Sequence, residues 1–171
     1  HHEEVVSFAA RQMLDVFSGV VSEGYGLTEI TMACTLNPPT REGLKPGSVG
    51  IPIFDTYLKV IDLNTGEVLL PGQEGEICIS GPTVMIGYLN NPAETASTLQ
   101  THEDGLLWLH TGDLGVMDAE GFIYFKQRLK RMIISSGYSI YPSQLENIIE
   151  AHEAVLMSSV IGVPDPYKVQ K

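Results

Sequence analysis

Apolar residues between residue 48 and about residue 126 occur in short runs, separated by glycine, proline and asparagine. This spacing is typical of β-strands joined by turns, because these three residue types favour the backbone angles that turns require. The run Tyr57–Ile61 shows the pattern, and a second strand is expected after the turn Asn64–Gly66. We also predict strands at residues 76–80, 106–110, 114–117 and 122–126, the last two joined by a turn at 118–121.

Helical signals flank and interrupt this β-rich region. Residues 3–18 place their apolar side chains on one stripe, which predicts a helix, and a short strand at 20–23 is expected to lead into a turn at Gly24. A second helix is predicted over residues 91–100, with Asn91 as its N-terminal cap.

The pattern changes near Arg128. We expect an apolar strand at 132–134, a helix beginning at Pro142 and a further strand at 155–163. A β-α-β unit that follows a β-rich block suggests a separate domain. We therefore place a domain boundary at residues 127–131.

Composition limits the possible functions. The 171 residues suffice for one domain, or for a larger domain and a small one. The formal net charge of −11 argues against a nucleic-acid backbone as the partner, since there is no basic surplus to displace counterions. No apolar run approaches the length of a membrane span, and we expect no signal peptide.

Cysteine and histidine usage predicts no metal centre of its own. Cys34 and Cys78 are too few and too far apart for a disulfide framework or a zinc site. No histidine pair has metal-ligand spacing with a third ligand nearby. The two free thiols favour a reducing, cytoplasmic compartment.

The segment Gly24–Glu29 carries the most chemical information. Two glycines flank Tyr25, whose ring offers a flat face for a base, and the hydroxyl of Thr28 precedes a carboxylate suited to magnesium. Most turns with two glycines bind nothing, so a plain turn remains the alternative on these residues alone. The segment is neither a phosphate-binding P-loop nor a dinucleotide fingerprint, because it lacks a Gly-Lys-Ser/Thr sequence and a third glycine.

Three further residues carry chemistry in the later part of the chain. Asp113 follows Thr111 and Gly112, where its carboxylate can accept hydrogen bonds from a ribose diol or can simply close a tight turn. Arg128 and Lys130 are two positions apart and share one side of an extended chain. They can bind ribose and phosphate oxygens, or form a solvated basic edge.

The order of the motifs is more specific than any one of them. The motifs are Gly24–Glu29, Gly75–Gly81, Gly87–Leu89, His110–Leu114, Arg128–Lys130 and Gly137–Pro142, followed by Glu146. This order closely resembles the adenylate-forming superfamily of acyl-CoA synthetases, luciferases and peptide-synthetase adenylation domains. The resemblance extends from about residue 13 to residue 167 and is closest to acyl-CoA synthetases of the fatty-acid type.

The resemblance implies a mixed α+β fold. Residues 1–127 would be the C-terminal part of a large AMP-binding domain, made of the end of an α/β subdomain and a distorted antiparallel β-barrel at about residues 41–127. Residues 128–171 would be the hinge and the first part of a small α+β C-terminal domain.

The resemblance also implies roles for the first motif. Tyr25 would stack on adenine between Gly24 and Gly26, all three being nucleotide-binding residues. Thr28 would bond the α-phosphate, and Glu29 would ligate magnesium.

The later motifs complete the implied site. Asp113 would hold the ribose hydroxyls with help from Arg128, and Lys130 would be the hinge between the two domains. Gly137 would lie in a loop beside the pantetheine of CoA. The implied cofactors and substrates are ATP or AMP, Mg²⁺, CoA and a small carboxylic acid, which we expect to be a fatty acid.

Departures from the family pattern are also visible. Gln127 replaces a usual glycine, Arg131 an often acidic residue, and Ser136 one of two common glycines. The family's phosphate-gripping loop should lie upstream of residue 1, and its catalytic lysine beyond Lys171. The resemblance therefore implies a middle-to-late piece of a longer enzyme, inactive without the remaining parts of its own chain.

Two other functions remain open. The first is an adenylation domain that loads a carrier protein, which differs from a CoA ligase in the thiol acceptor. The second is a non-catalytic β-rich binding module that kept the fold and lost the chemistry.

Overall fold

The computed structural model describes residues 22–40, 43–165, 167, 169 and 170. Within these residues the chain forms short strands, two α-helices and two 3-10 helices. It divides into two compact units between Lys126 and Gln127. The helix predicted over residues 3–18 lies outside the described residues.

A small antiparallel sheet opens the first unit. Its strands are β1 (Gly24–Tyr25), β2 (Thr35–Leu36) and β3 (Ile51–Pro52), in that spatial order. Pro52 has no backbone N–H to donate to a neighbouring strand. Because it lies on an edge strand, the sheet loses no inter-strand hydrogen bond. The loop between β2 and β3 is tied down by the buried side chain of Asn37, whose amide donates to the Ser48 carbonyl oxygen at 2.7 Å.

A five-stranded sheet forms the larger part of the first unit. Its strands are β4 (Tyr57–Ile61), β5 (Glu74–Ser80), β6 (Leu99–Thr101), β7 (Leu107–Met117) and β8 (Ile123–Arg128). In spatial order β4 lies beside β5, β5 beside β7 and β7 beside β6, and β8 also pairs with β7. The paired strands β4–β5, β5–β7 and β6–β7 are all antiparallel.

The two faces of this sheet bury different side chains. Successive side chains of a strand point to opposite faces, so Ile77 and Ile79 lie on one face of β5 and Cys78 on the other. The first face contributes to a core cluster of Ile30, Cys34, Ile77, Ile79, Leu109 and Ile123. The second face contributes to a smaller cluster of Ile61, Cys78 and Trp108.

The predicted helix near residue 91 is confirmed as Pro92–Thr98. The Asn91 side chain accepts a hydrogen bond from the Glu94 backbone N–H, which satisfies one of the free donors of the first turn. Pro92 begins the helix, where its missing N–H costs no hydrogen bond.

The second unit is built on a separate antiparallel sheet. Strands β9 (Ile133–Ser135) and β10 (Tyr138–Ile140) form a hairpin, and the helix Pro142–Glu150 follows it. Strands β11 (Pro164–Asp165) and β12 (Val169–Gln170) complete the sheet in the order β10-β9-β12-β11. Within this unit, Ser143 Oγ donates to the Gln127 side-chain oxygen at 3.0 Å.

The mixed α+β class is confirmed, but the strands close into no barrel among the described residues. The three-, four- and five-stranded sheets are open. The predicted β-α-β unit is also wrong, because residues 155–163 form no strand and β12, which pairs with β9 after the helix, is antiparallel to it. The apolar side chains of Leu156 and Ile161 in that segment are largely exposed.

Several strand boundaries differ from the prediction. Gly24 belongs to β1 and forms no turn, and residues 22–23 form no strand. The strand expected after Asn64–Gly66 is reduced to a single bridge between Ile61 and Val68. The strands Tyr57–Ile61 and 76–80 are confirmed, the latter beginning two residues earlier.

No helix in the described part of the chain is both long and apolar enough to cross a membrane.

Replacement of Leu109 by alanine should test the main core. Leu109 is fully buried, so the shorter side chain leaves a cavity and should lower the free energy of unfolding by about 2–5 kcal/mol. Leu70→Ala is the matched control, because Leu70 is 73% exposed. Urea denaturation measures both, and equal effects of the two replacements would contradict the assignment of the core.

Candidate functional site

Tyr25 and Asp113 meet although 88 positions separate them in the chain. The Tyr25 hydroxyl donates a hydrogen bond to Asp113 Oδ2 at 2.7 Å. Asp113 is 3% exposed, and the Tyr25 ring lies against the Phe125 ring with 6.1 Å between the centroids. Burial and the Asp113 carboxylate both raise the pKa of the Tyr25 hydroxyl, so it remains a hydrogen-bond donor at neutral pH.

The glycines around Tyr25 serve the packing of the backbone. A Cβ atom on Gly26 would lie 1.7 Å from the Met32 carbonyl oxygen, and one on Gly24 would lie 2.9 Å from the Thr35 carbonyl oxygen. Both glycines therefore allow the strand bearing Tyr25 to approach the returning chain. The sequence analysis explains the two glycines by the close approach of a ligand. The structure shows that they are also needed for the close approach of the backbone itself.

Thr28 and Glu29 begin a single-turn 3-10 helix, Thr28–Ile30, which follows β1 closely. Ile30 anchors this turn in the core, while Thr28 is exposed and Glu29 is partly exposed. The Met85 backbone N–H donates to the Glu29 carbonyl oxygen at 2.8 Å. Glu29 Oε1 accepts a hydrogen bond from the Tyr88 hydroxyl at 2.8 Å, so its side chain has a fixed direction.

Asp113 occupies an irregular part of β7. Glu76 of β5 pairs with Leu114, and Cys78 pairs with His110, so residues 111–113 lie opposite a single residue of β5. This arrangement is a β-bulge, which redirects a side chain within a strand. The sequence prediction of two strands separated by a loop is thus corrected to one strand with a bulge.

Glu76 holds the bulge in place. Its Oε1 atom accepts from the Gly112 backbone N–H at 2.9 Å, and its Oε2 atom lies 2.9 Å from His110 Nδ1. Gly112 has φ +68°, a conformation that glycine adopts at little cost. The Thr111 hydroxyl donates to the Ile77 carbonyl oxygen and accepts from the Asp113 N–H. These bonds fix the position from which the Asp113 carboxylate meets Tyr25.

The remaining predicted residues belong to the second unit. Arg128 ends β8, Lys130 lies in the 3-10 helix Leu129–Arg131, and both are exposed. Gly137 has φ +84° and follows Ser136, with φ +52°, in the tight turn between β9 and β10. Two successive residues of positive φ are typical of the type I′ turns that join antiparallel strands.

Sequence reasoning missed three contributors to the site. The sequence analysis gives no role to Tyr88, Phe125 or Glu76, although each contacts a predicted site residue or its support. Their contributions depend on contacts across the fold, which periodicity along the chain does not reveal. The Gly87–Leu89 and Gly75–Gly81 motifs were the only signals of Tyr88 and Glu76.

The arrangement has the groups that a nucleotide site requires. An aromatic ring adjoins a buried carboxylate, and a second, oriented carboxylate follows four residues after the ring. Carboxylate oxygens accept hydrogen bonds from sugar hydroxyls and ligate hard cations such as Mg²⁺.

The chain is similar in sequence to known proteins. Residues 3–89 match the family model described as "AMP-binding enzyme". The chain is 44% identical over 153 residues to a long-chain-fatty-acid–CoA ligase of Bacillus subtilis, covering 90% of this chain and 26% of that protein. It is 43% identical over 148 residues to luciferin 4-monooxygenase of Nipponoluciola cruciata, covering 85% of this chain and 26% of that protein.

A solved structure is similar over most of the chain. The ATP-bound MatB of Rhodopseudomonas palustris matches with a TM-score of 0.77 and 36% identity, over 90% of this chain and 29% of that chain. The present chain thus spans about a quarter of the length of the curated relatives that it matches.

Tyr25→Phe should test the contact that joins the two motifs. The change removes the hydroxyl that donates to Asp113 and should lower the free energy of unfolding by about 1–3 kcal/mol, because the hydrogen bond to a charged group is lost. Tyr57→Phe is the control, since Tyr57 is 60% exposed. Thermal and urea unfolding measure the difference, and a Tyr25→Phe protein as stable as the control would contradict the contact.

Proposed function

The chain belongs to the AMP-binding enzyme family, and on that premise we propose that it is part of an ATP-dependent acyl-CoA synthetase. Such an enzyme joins the carboxylate of an acid to the AMP moiety of ATP and releases pyrophosphate. The thiol of CoA then attacks the acyl carbon, AMP leaves, and a thioester forms. The similarity to a fatty-acid ligase supports a fatty acid as the substrate class.

The hydrogen bond between Tyr25 and Asp113 is the observation that carries the proposal. We assign the Tyr25 ring as the surface on which adenine stacks, with the backbone of Gly24 and Gly26 beside it. The Asp113 carboxylate would accept hydrogen bonds from the ribose hydroxyls. An aromatic face and an acid from distant parts of the chain would thus hold the base and the sugar of one AMP moiety.

Thr28 and Glu29 follow Tyr25 closely in the chain, and we assign them to the phosphate end of the nucleotide. The exposed Thr28 hydroxyl would donate to an α-phosphate oxygen, and the Glu29 carboxylate would ligate Mg²⁺. Bound Mg²⁺ offsets the negative charge that develops at the α-phosphate during adenylation. Tyr88 supports this role, since its hydroxyl fixes the direction of the Glu29 carboxylate.

The second unit would supply Arg128 to nucleotide binding, and Lys130 and Gly137 to the second half-reaction. Arg128 would bind the ribose, and Lys130 would be the hinge about which the small domain rotates between adenylation and thioester formation. The tight turn at Gly137 would adjoin the pantetheine of CoA. The short 3-10 helix that contains Lys130 supports a hinge, because such single turns are common where the backbone changes direction.

A carrier-protein-loading adenylation domain is the second candidate. Its first half-reaction is the same, and the acceptor thiol then belongs to a carrier protein. The chain is almost equally identical to a fatty-acid–CoA ligase and to a luciferin 4-monooxygenase, so sequence similarity alone does not fix the acceptor. Thioester formation with free CoA, measured in the full-length protein, would favour the ligase over the carrier-loading domain.

Asp113→Ala should weaken AMP binding by about tenfold or more, because a hydrogen bond to a charged group contributes roughly 1.5–3 kcal/mol. Glu103→Ala is the matched control, since Glu103 is an exposed acid. Ligand-observed NMR of AMP with each variant measures the change. AMP binding that is insensitive to Asp113→Ala would contradict the ribose assignment, and the absence of AMP binding by the full-length protein would contradict the proposed function.

Lys130→Pro in the full-length protein should leave adenylation nearly intact and abolish thioester formation, because proline fixes the backbone angle that a hinge must change. Lys130→Ala is the control that removes the charge and keeps the backbone freedom. Pyrophosphate release without CoA and thioester yield with CoA separate the two steps. Equal losses in both steps with Lys130→Pro would contradict the hinge.

A further inference from the structure

Three side chains with metal-ligating atoms converge between β5 and β7. His110 Nδ1 lies 2.9 Å from Glu76 Oε2 and 3.7 Å from Cys78 Sγ. The three ligand atoms all lie within 4.8 Å of one another. A fourth side chain adjoins them, because His102 Nε2 lies 3.0 Å from His110 Nε2. Histidine spacing along the chain does not predict this cluster, because its members come from separate strands that only the fold brings together.

This cluster belongs to the other face of the sheet from the contact between Tyr25 and Asp113. Cys78 pairs with His110 across β5 and β7, and Cys78 packs in the cluster of Ile61 and Trp108. Tyr25 packs against the main core on the opposite face. The cluster therefore lies on the side of the sheet away from the one on which Tyr25 packs.

The geometry points to a site for a divalent transition-metal ion, with Zn²⁺ as the best fit, bound by Glu76, Cys78 and His110. Thiolate, imidazole and carboxylate are the ligands that Zn²⁺ takes in proteins, usually in tetrahedral geometry. Mg²⁺ and Ca²⁺ prefer oxygen ligands alone and would gain little from the sulfur and the nitrogen. The site is separate from the Mg²⁺ position proposed at Glu29.

The distances suit a tetrahedral ion with little movement. Bond lengths of about 2.3 Å to sulfur and about 2.05 Å to nitrogen or oxygen place tetrahedral S and N ligands about 3.6 Å apart and N and O ligands about 3.4 Å apart. The observed separation of Sγ and Nδ1 is 3.7 Å. The separation of Nδ1 and Oε2 is 2.9 Å and would widen by about half an ångström as a metal replaces the hydrogen bond.

The charges of the ligands balance those of the ion. One thiolate and one carboxylate neutralise a dication, so the loaded cluster carries no net charge in a place where an unbalanced charge would be costly. Cys78 is fully buried, and the Glu76 and His110 side chains are 12% and 16% exposed. Burial and the Glu76 carboxylate raise the pKa of the Cys78 thiol.

The histidine pair supplies the supporting shell of the site. His110 Nε2 lies 3.0 Å from His102 Nε2, while His110 Nδ1 is the ring nitrogen that faces Glu76 and Cys78. With an ion on Nδ1, the His110 Nε2–H would donate to His102 Nε2. A ligating histidine whose other nitrogen donates to a partner is the usual arrangement at protein metal sites.

Solvent reaches the cluster through an open cavity of about 620 Å³ that His102 and His110 help to line. Lys59 also lines this cavity, and its positive charge opposes an incoming cation. That charge is partly offset, because Lys59 Nζ lies 3.2 Å from Asp104 Oδ2 and 3.8 Å from the centroid of the Trp108 ring.

Titration of the chain with Zn²⁺ and Co²⁺ tests the inference. His1→Ala and His2→Ala are introduced first, so that the N-terminal histidines contribute no binding. We expect one ion per chain, a higher unfolding temperature with Zn²⁺, and a sulfur-to-metal charge-transfer band with Co²⁺. Cys78→Ser should abolish the band, whereas Cys34→Ser, at the other buried free cysteine, should retain it.

Two further variants separate ligation from folding. Glu76→Gln keeps an acceptor for the Gly112 N–H and removes a charged ligand, and His102→Asn removes the support of His110; each should weaken Zn²⁺ binding by about 10–100-fold. Circular dichroism confirms that each variant is folded. Absence of Zn²⁺ binding by the folded chain, or a Co²⁺ band that survives Cys78→Ser, would overturn the site. Neither result bears on AMP binding, which is measured separately.

Discussion

The hydrogen bond from the Tyr25 hydroxyl to the Asp113 carboxylate is the contact on which the proposed chemistry depends. It brings together a two-residue strand at the edge of one small sheet and the middle strand of another. The bond requires that Gly26 pack closely on Met32 and that Glu76 hold the bulge in β7. A short polar contact is thus supported by backbone constraints on both of its sides.

The strand β7 links two distinct chemical environments. Its Leu109 side chain lies in the main core, while Trp108 belongs to the cluster on the opposite face. The bulge lets Asp113 leave the regular alternation and approach Tyr25. Glu76 adjoins both environments, since one of its oxygens bonds the Gly112 N–H and the other contacts His110. Its single carboxylate therefore connects the proposed ribose acid with the proposed metal ligands.

Local patterns in the sequence predicted the elements whose signals are local. The helix cap at Asn91 is one example, because its side-chain oxygen and the following proline specify a helix start within a few residues. The strand Tyr57–Ile61 is another, because its run of apolar residues is itself short and local. The bulge at residues 111–113 was missed, since a Thr-Gly-Asp sequence also suits a loop. The composition of residues 155–163 predicts a strand, but the structure has none there. A run of apolar residues does not by itself specify a strand with which it can pair.

The close approach of Gly26 to Met32 constrains the backbone at position 32 but not the side chain. The Met32 carbonyl lies where a Cβ atom on Gly26 would be, so the path of the main chain there is fixed by the strand that carries Tyr25. The Met32 side chain, by contrast, is 82% exposed. The side chain at position 32 can accordingly be replaced by many residue types without moving the strand that carries Tyr25.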